Sequence, residues 1–400
     1  MRRVAAILAL SVMVTGCWTR REITETAFVG MMAVDWVNDQ YAVTASVLMP
    51  KTASTGNSGG KASDATGSPI WTVRAEAASL DQAVGLIDRI SPRRVNLAHV
   101  RAVILGEALA RRGIWPVLDY LSRAVELRPN LWVGVTPGLA EELLTARPIL
   151  EPYPGNGPLG YHDLVPLRGG LAPARKLVHV IRTLTEEGID LVLPAFRVAQ
   201  QDQHRTEVNS VGQDSREILV GGIAAFQGDR LVAWLEPEDS RGVVFALGEG
   251  SLGPLTVPCG HGPGVANLRM RGNKSRAIVY RNGQRLTAQL SVTITADVNE
   301  AMCQRGPGDI EQLAALELEL AKVVKQSIEN AFRISQENAT DVLGIGMQLF
   351  HRSPTDYRML APDWPRALRE TQLQVRVQAR IPRTGQVYDS VERLGEQKRR

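Results

Sequence analysis

A mixed α+β protein is the fold class that this sequence predicts, on three observations. Residues 70–146 alternate strand-like and helix-like patterns. Residues 286–298 alternate apolar and polar side chains without a break, and residues 309–334 carry one apolar stripe at helical spacing. These periodicities are geometric, since side chains repeat every two residues across a strand and about every 3.6 around a helix. Together they predict mixed sheets flanked by helices, ending in an antiparallel sheet packed on one long helix.

The chain opens on Met1, Arg2 and Arg3, runs apolar from Val4 to Val14, and reaches Thr15, Gly16 and Cys17. That is the layout of a secretory signal. About 11 apolar residues at about 1.5 Å each do not cross a hydrocarbon core that needs roughly 20, so the segment reads as a cleaved export signal. Val14-Thr15-Gly16-Cys17 is also the apolar, small, small, Cys pattern of a bacterial lipobox, which predicts cleavage before Cys17 and acylation of its thiol. Each buried CH2 contributes about 0.8 kcal/mol, so two or three acyl chains hold a protein to a bilayer far better than one. The alternative at Cys17 is an ordinary signal peptide with a free cysteine near the cut.

Net charge is +4 with both signs interspersed, which leaves no nucleic-acid footprint. No later stretch approaches 18 apolar residues, so no further membrane span is expected. The basic Lys398-Arg399-Arg400 reads as a solvated tail. Besides Cys17 the chain has only Cys259 and Cys303. Outside the cytoplasm two cysteines in one domain can pair, isolated thiols being the alternative; a structural zinc site needs about four ligands at tight spacings.

Thr26 to Val34 and Tyr41 to Met49 read as a hairpin around Asn38-Asp39, and Pro50 to Pro69 as a Gly/Ser-rich loop. Ser79 with Gln82 forms a capping-box pattern ahead of Ala83, Val84, Leu86, Ile87 and Ile90. A strand at 100–105, a helix at 107–112 closed by Gly113, a helix at 114–127, a strand at 131–136 and a helix at 139–146 follow. Proline and glycine make 148–166 a linker. A helix at 176–187, a strand at 189–199 and a hairpin of 218–226 with 230–235 come next. Asn282-Gly283 turns 277–280 back onto the alternating strand. Asp309 with Gln312 then caps the long helix, and residues 373–381 alternate as a last strand.

Several patterns mimic catalytic motifs. Gly56-Asn57-Ser58-Gly59-Gly60 matches a nucleophile elbow, yet both flanks are loop, where a strand must precede and a helix follow the serine. Gly248 to Gly253 matches a dinucleotide fingerprint, but Pro254 and Pro258 exclude a helix N-terminus behind it. Gly155 to Gly160 repeats the spacing inside the proline-rich linker. The six histidines, His99, His162, His179, His204, His261 and His351, show no metal-ligand spacing. Glu236, Glu238 and Asp239 beside Trp234 read as a charged hairpin end. No enzyme, cofactor or metal is predicted.

Cys17-Trp18, Arg20-Arg21-Glu22-Ile23, Gly106-Glu107 and Ala110-Arg111-Arg112-Gly113 within Val100 to Gly113, and Arg123 stand in one order with later segments. Those are Leu231 to Leu235, Arg241-Gly242, Thr340-Asp341-Val342-Leu343-Gly344-Ile345-Gly346, Trp364 and Ile381-Pro382-Arg383-Thr384-Gly385. In this order the chain resembles the Ger(x)C family, the lipoprotein C subunits of spore germinant receptors. Departures are the insertion from Lys51 to Gly67, Thr19 where the family more often has an acidic residue, and the pair Cys259 and Cys303.

The resemblance implies a three-domain protein on the outer face of the spore inner membrane, joined to integral-membrane A and B subunits, with no catalytic residues. The expected divisions are a signal peptide at 1–16, an α/β domain at 17–185, a small middle domain at 186–250, a sheet-plus-helix domain at 251–390 and a tail at 391–400. Two other functions fit the residues alone: a substrate-binding lipoprotein of a transporter, from the α/β character of 70–146, and an exported hydrolase acting through Ser58.

Overall fold

The structure, a computed structural model, describes residues 25–48, 70–146, 171–199, 218–249, 253–283, 285–304, 306 and 309–383. The expected loop at 50–69 and linker at 148–166 lie outside them, apart from the edges of neighbouring elements.

Strand β1 (Thr26–Val37) turns into β2 (Gln40–Leu48) through Asn38 and Asp39, whose φ values of 50° and 57° form the positive pair that a two-residue hairpin requires. Strand β3 (Ile70–Ala77) extends β2 antiparallel. On its other side β1 pairs in parallel with β4 (Arg94–Asn96) and β5 (Ala102–Gly106). Strands β6 (Trp132–Thr136) and β7 (Val192–Val198) continue in parallel, and the hairpin of β8 (Ile218–Gln227) and β9 (Arg230–Leu235) completes a nine-stranded sheet. The strands of the 186–250 segment therefore extend the first sheet, through the pair Val135↔Ala195.

Parallel neighbours need crossovers, and these supply the helices. Helix α1 (Leu80–Ile90) follows β3, with the Ser79 hydroxyl accepting from Gln82 N at 3.3 Å. Helices α2 (Glu107–Arg112) and α3 (Trp115–Arg123) lie between β5 and β6. Helices α4 (Glu141–Thr145) and α5 (Leu177–Thr185) stand between β6 and β7. The sheet is covered on both faces: Met32, Val34, Val103 and Leu105 enter one core, while Met31, Ala33, Ile104 and Phe196 enter another. Two-sided burial explains why β1 and β5 read as nearly continuous apolar runs.

A second sheet has the order β10 (Pro254–Pro258), β11 (Val265–Asn282), β12 (Arg285–Ala301) and β13 (Gln372–Arg383). Helix α6 (Pro237–Leu247) and the long helix α7 (Ile310–Glu337) pack on it, followed by α8 (Ile345–Arg352), α9 (Pro354–Leu360) and α10 (Trp364–Arg369). Asp309 caps α7 by accepting from Glu311 N at 2.9 Å, and Leu316, Leu320, Val324 and Ile328 form its buried stripe.

Three expectations change. The last sheet is mixed rather than antiparallel: β13 runs parallel to β12 from Thr287↔Gln372 to Asp297↔Arg383, because α7 to α10 carry the chain back to the end where β12 began. The helix expected at 114–127 ends at Arg123, where the chain turns and Leu127 N bonds Ala124 O. Glu236, Glu238 and Asp239 are no hairpin end. Glu236 is the N-cap of α6, Pro237 opens the helix, and the two acids occupy its first turn, where the helix dipole favours negative charge.

Candidate functional site

The segment Thr340 to Gly346 leaves α7 and is fastened at once to the first sheet. Asp341 N donates to Asp190 Oδ2 at 2.7 Å, and Asp190 N returns a bond to Asp341 O at 3.0 Å. Asp190 Oδ1 also accepts from Gly228 N at 3.0 Å, in the β8–β9 turn. The Thr340 hydroxyl donates to the Phe226 carbonyl, and Gln227 Nε2 donates to Ala339 O at 3.0 Å. The Asp341 carboxyl accepts from Ile345 N at 2.9 Å and Gly346 N at 2.7 Å, opening α8. Complete burial outweighs these N–H bonds, and with Asp190 nearby it pushes the Asp341 carboxyl up to about 7. Burial also raises Asp190, against the bonds from Asp341 N and Gly228 N.

Two glycines make this contact sterically feasible. A Cβ on Gly188, at φ 79°, would lie 2.3 Å from the Gly346 carbonyl carbon, and one on Gly346 would lie 2.7 Å from the Trp364 ring. Trp364 in turn packs on Tyr357, with ring centroids 5.4 Å apart.

A second joint gathers the stretch from Gly106 to Gly113. Asp35, 1% exposed, accepts from Ala140 N at 2.7 Å and Glu141 N at 3.1 Å, and burial raises its carboxyl despite them. A Cβ on Gly106 would sit 1.9 Å from Asp35 Oδ1, so only glycine fits there. Glu107 accepts from Trp234 Nε1 at 3.2 Å and Arg111 Nε at 2.9 Å. Burial raises Glu107, but these bonds and one from Gly138 N outweigh it and leave the carboxyl lowered. Gly113, at φ 129°, lies against Asp229, which also accepts from Ile114 N at 3.0 Å and Trp115 N at 3.2 Å. Arg112 stacks on Trp36 at 4.0 Å.

Two of the segments singled out in the sequence, Gly106 to Gly113 and Thr340 to Gly346, thus lie at internal joints between elements, not in an open cleft. Single-sequence reasoning missed Asp35 and Asp190. Neither Val34-Asp35-Trp36 nor Ile189-Asp190-Leu191 carries a motif; the one signal is an isolated acid inside an apolar run.

The remaining candidates are dispersed. Cys17 and Ser58 lie outside the described residues, as do His162, His204 and the glycines from 155 to 160. Cys259 and Cys303 are placed with Sγ atoms 2.02 Å apart as a disulfide. It links the end of β10 to the end of β12, and Gln312 Nε2 donates to Cys259 O at 2.6 Å, joining the first turn of α7 to the same point. Gly248, at φ 72°, closes α6, so the dinucleotide-like spacing follows a helix instead of the strand that chemistry requires. His99 meets Phe28 edge to face with ring centroids 4.7 Å apart, and His351 lies 4.0 Å from Glu186. Among the described residues no three His, Cys, Asp or Glu are grouped to hold a metal.

A cleft of about 530 Å³ is lined by Tyr41, Asp81, Asp119, Tyr120 and Arg123 among others. Arg123 is paired with Asp119 at 2.9 Å, and burial, with Asp81 and Glu126, pushes the Tyr120 phenol up to about 12. A protonated phenol and a paired guanidinium donate hydrogen bonds; neither is an activated nucleophile.

Residues 19–198 match the family described as Spore germination protein N-terminal domain, and residues 221–385 match Spore germination B3/GerAC like, C-terminal. Spore germination protein KC of Bacillus subtilis (strain 168) is 24% identical over 389 residues, covering 95% of this chain and 95% of that protein. Putative spore germination protein YfkR of the same organism is 23% identical over 388 residues, 96% of this chain and 97% of that one. Spore germination protein B3, also from that organism, is 22% identical over 386 residues, 93% and 95% of the two chains. The crystal structure of the GerBC protein superposes with a TM-score of 0.53 at 16% identity, covering 88% of this chain and 96% of that one. That likeness is one of fold.

Proposed function

The chain belongs to the GerAC-like spore germination family, the C subunits of germinant receptors, and from that membership we propose that it is the lipid-anchored, non-catalytic assembly subunit of its receptor. Two consecutive family matches, covering residues 19–198 and 221–385, are the observation that carries this reading. The lipobox at Cys17 supports attachment to the outer face of the spore inner membrane, and no helix among the described residues is long and apolar enough to cross one. The partners on this reading are the integral-membrane A and B subunits. The relatives carry the names of germination proteins, which supports neither an exported hydrolase nor a transporter's solute-binding lipoprotein.

A scaffold that docks against partners needs a stable relation between its parts, and the Asp190–Asp341 joint and the bonds around Gly106 to Gly113 support that reading. Affinity capture of the full chain from detergent-solubilised spore membranes is expected to co-purify two integral-membrane germination subunits. Capture of the chain alone, under conditions that keep other membrane complexes intact, would falsify the assembly role.

A further inference from the structure

The second sheet has one covered face and one open face. Along β12, Leu290, Val292 and Ile294 pack in one core with Leu320 of α7 and Val243 of α6, so Ser291 and Thr293 between them point away from both helices. Register sets their neighbours. Arg276 of β11, Ser291 and Arg376 of β13 stand side by side, and Lys274, Thr293 and Gln378 form the next row. All six are exposed. Exposed Arg380, opposite Thr295, continues the face into a third row, whose β11 member is Gly272.

Neighbouring strands lie about 4.8 Å apart and same-face residues about 6.8 Å apart along a strand, so Lys274, Arg276, Arg376 and Arg380 share a patch of roughly 10 by 14 Å. Among the described residues no carboxylate pairs with any of the four. The acids next along this face are engaged elsewhere: Asp297 accepts from Arg271 Nε at 2.6 Å, and Glu300 accepts from Asn267 Nδ2 at 2.8 Å. Charge that serves solubility alone is commonly mixed in sign, and charge that guards a sheet edge belongs on the edge strand. Arg376 and Arg380 fit the edge account, since β13 is an edge, but Lys274 and Arg276 stand on β11, between β10 and β12.

We propose that this open face of the second sheet lies against the anionic headgroups of a membrane and so orients the body that Cys17 tethers. Protein interfaces are built around aromatic and aliphatic anchors and are poor in lysine, and the three rows offer no apolar side chain to a protein partner. A layer of lipid phosphates needs no such anchor: it takes hydrogen bonds from guanidinium and hydroxyl groups and attracts each cation. The idea deepens the assembly reading and rests on its membrane location, although the charges act without the acyl chains. A tether alone leaves rotation free. A charge-selective contact on one face fixes which surfaces are left for the membrane subunits.

The test uses the full chain carrying Cys17→Ala, sedimented with vesicles of phosphatidylcholine alone or with phosphatidylglycerol added. The protein is expected to bind the phosphatidylglycerol vesicles and not the neutral ones, more weakly as salt rises. Arg276→Gln with Arg376→Gln should weaken that binding about thirtyfold, with the thermal midpoint unchanged because both positions are exposed. Lys325→Gln with Arg333→Gln removes the same charge from exposed positions of α7 and should leave binding within about twofold. Equal binding to both vesicles, or an equal loss in the two variants, would overturn the proposal. So would unchanged vesicle binding by the Arg276 and Arg376 variant together with lost capture of the membrane subunits, which would assign the face to a protein contact. Mass measurement of wild-type Cys17 reads the anchor separately, so a missing lipid and a missing headgroup contact give different results.

Discussion

At the scale of single residues, the buried carboxyl of Asp341 makes the turn after α7 sensitive to pH. The unfolded chain releases this proton near the ordinary 3.8, whereas the folded chain holds it to about 7. In between, the folded state binds more protons, so stability is full below about 4 and falls as pH rises through about 7. The linkage is on the order of 4 kcal/mol, and Asp190, raised in the same direction, adds to it. Urea unfolding of the mature chain at about pH 4.5 and about pH 7 should show this loss, and Asp341→Asn should flatten it from a lower starting stability. A wild-type profile that rises over this interval contradicts the assignment. Gly188→Ala tests the same joint by packing, since its Cβ would meet Gly346 and φ is positive; a loss of about 1 to 3 kcal/mol is expected in the same assay. Asp341 was legible only inside the run Thr340 to Gly346, through family resemblance. Which acids are buried depends on contacts such as Asp190–Gly228 that join residues far apart in the chain.

At the scale of elements, the parts with strict local signals were readable: the Asn38-Asp39 turn, the Ser79 cap, the alternation along β12 and the stripe of α7. Strand β10 was not, being five residues bounded by prolines, nor were α8 to α10, which are short and carry Pro354 and Pro365. The direction of β13 could not be read either, because alternation is the same in parallel and antiparallel strands. A bulge near its end frees Ile381 N, which donates to Glu317 on α7 at 2.8 Å. Gly242 on α6, noted in sequence only through resemblance, has a physical reason: a Cβ there would lie 1.9 Å from Ser327 O on α7. Gly242→Ala should separate the two helices and lower the thermal midpoint, at a cost of about 1 to 3 kcal/mol; an unchanged midpoint contradicts the close approach. The Cys259–Cys303 link spans 44 residues, worth about 4 kcal/mol in the chain-entropy account. Reductant, or Cys259→Ser with Cys303→Ser, should therefore lower stability by roughly 2 to 4 kcal/mol. Denaturation curves that coincide with and without reductant would argue that the thiols are not paired.

At the scale of the whole molecule, two mixed sheets are joined by hydrogen-bonded turns instead of by an open ligand cleft. The first sheet begins just downstream of Cys17, so one end of the body is held near any lipid attached there. On the proposed reading function lies in position, a stable body held at a membrane surface beside receptor subunits, and buried joints are what such a role would need. The decisive measurement is fractionation and nutrient-triggered germination of spores in which Cys17→Ala replaces the wild type. The account predicts that wild-type chain sediments with the inner membrane, that the variant accumulates as folded soluble protein, and that germination through this receptor falls. A variant that stays with the membrane, or leaves it while germination proceeds at the wild-type rate, would contradict a lipid-held assembly subunit.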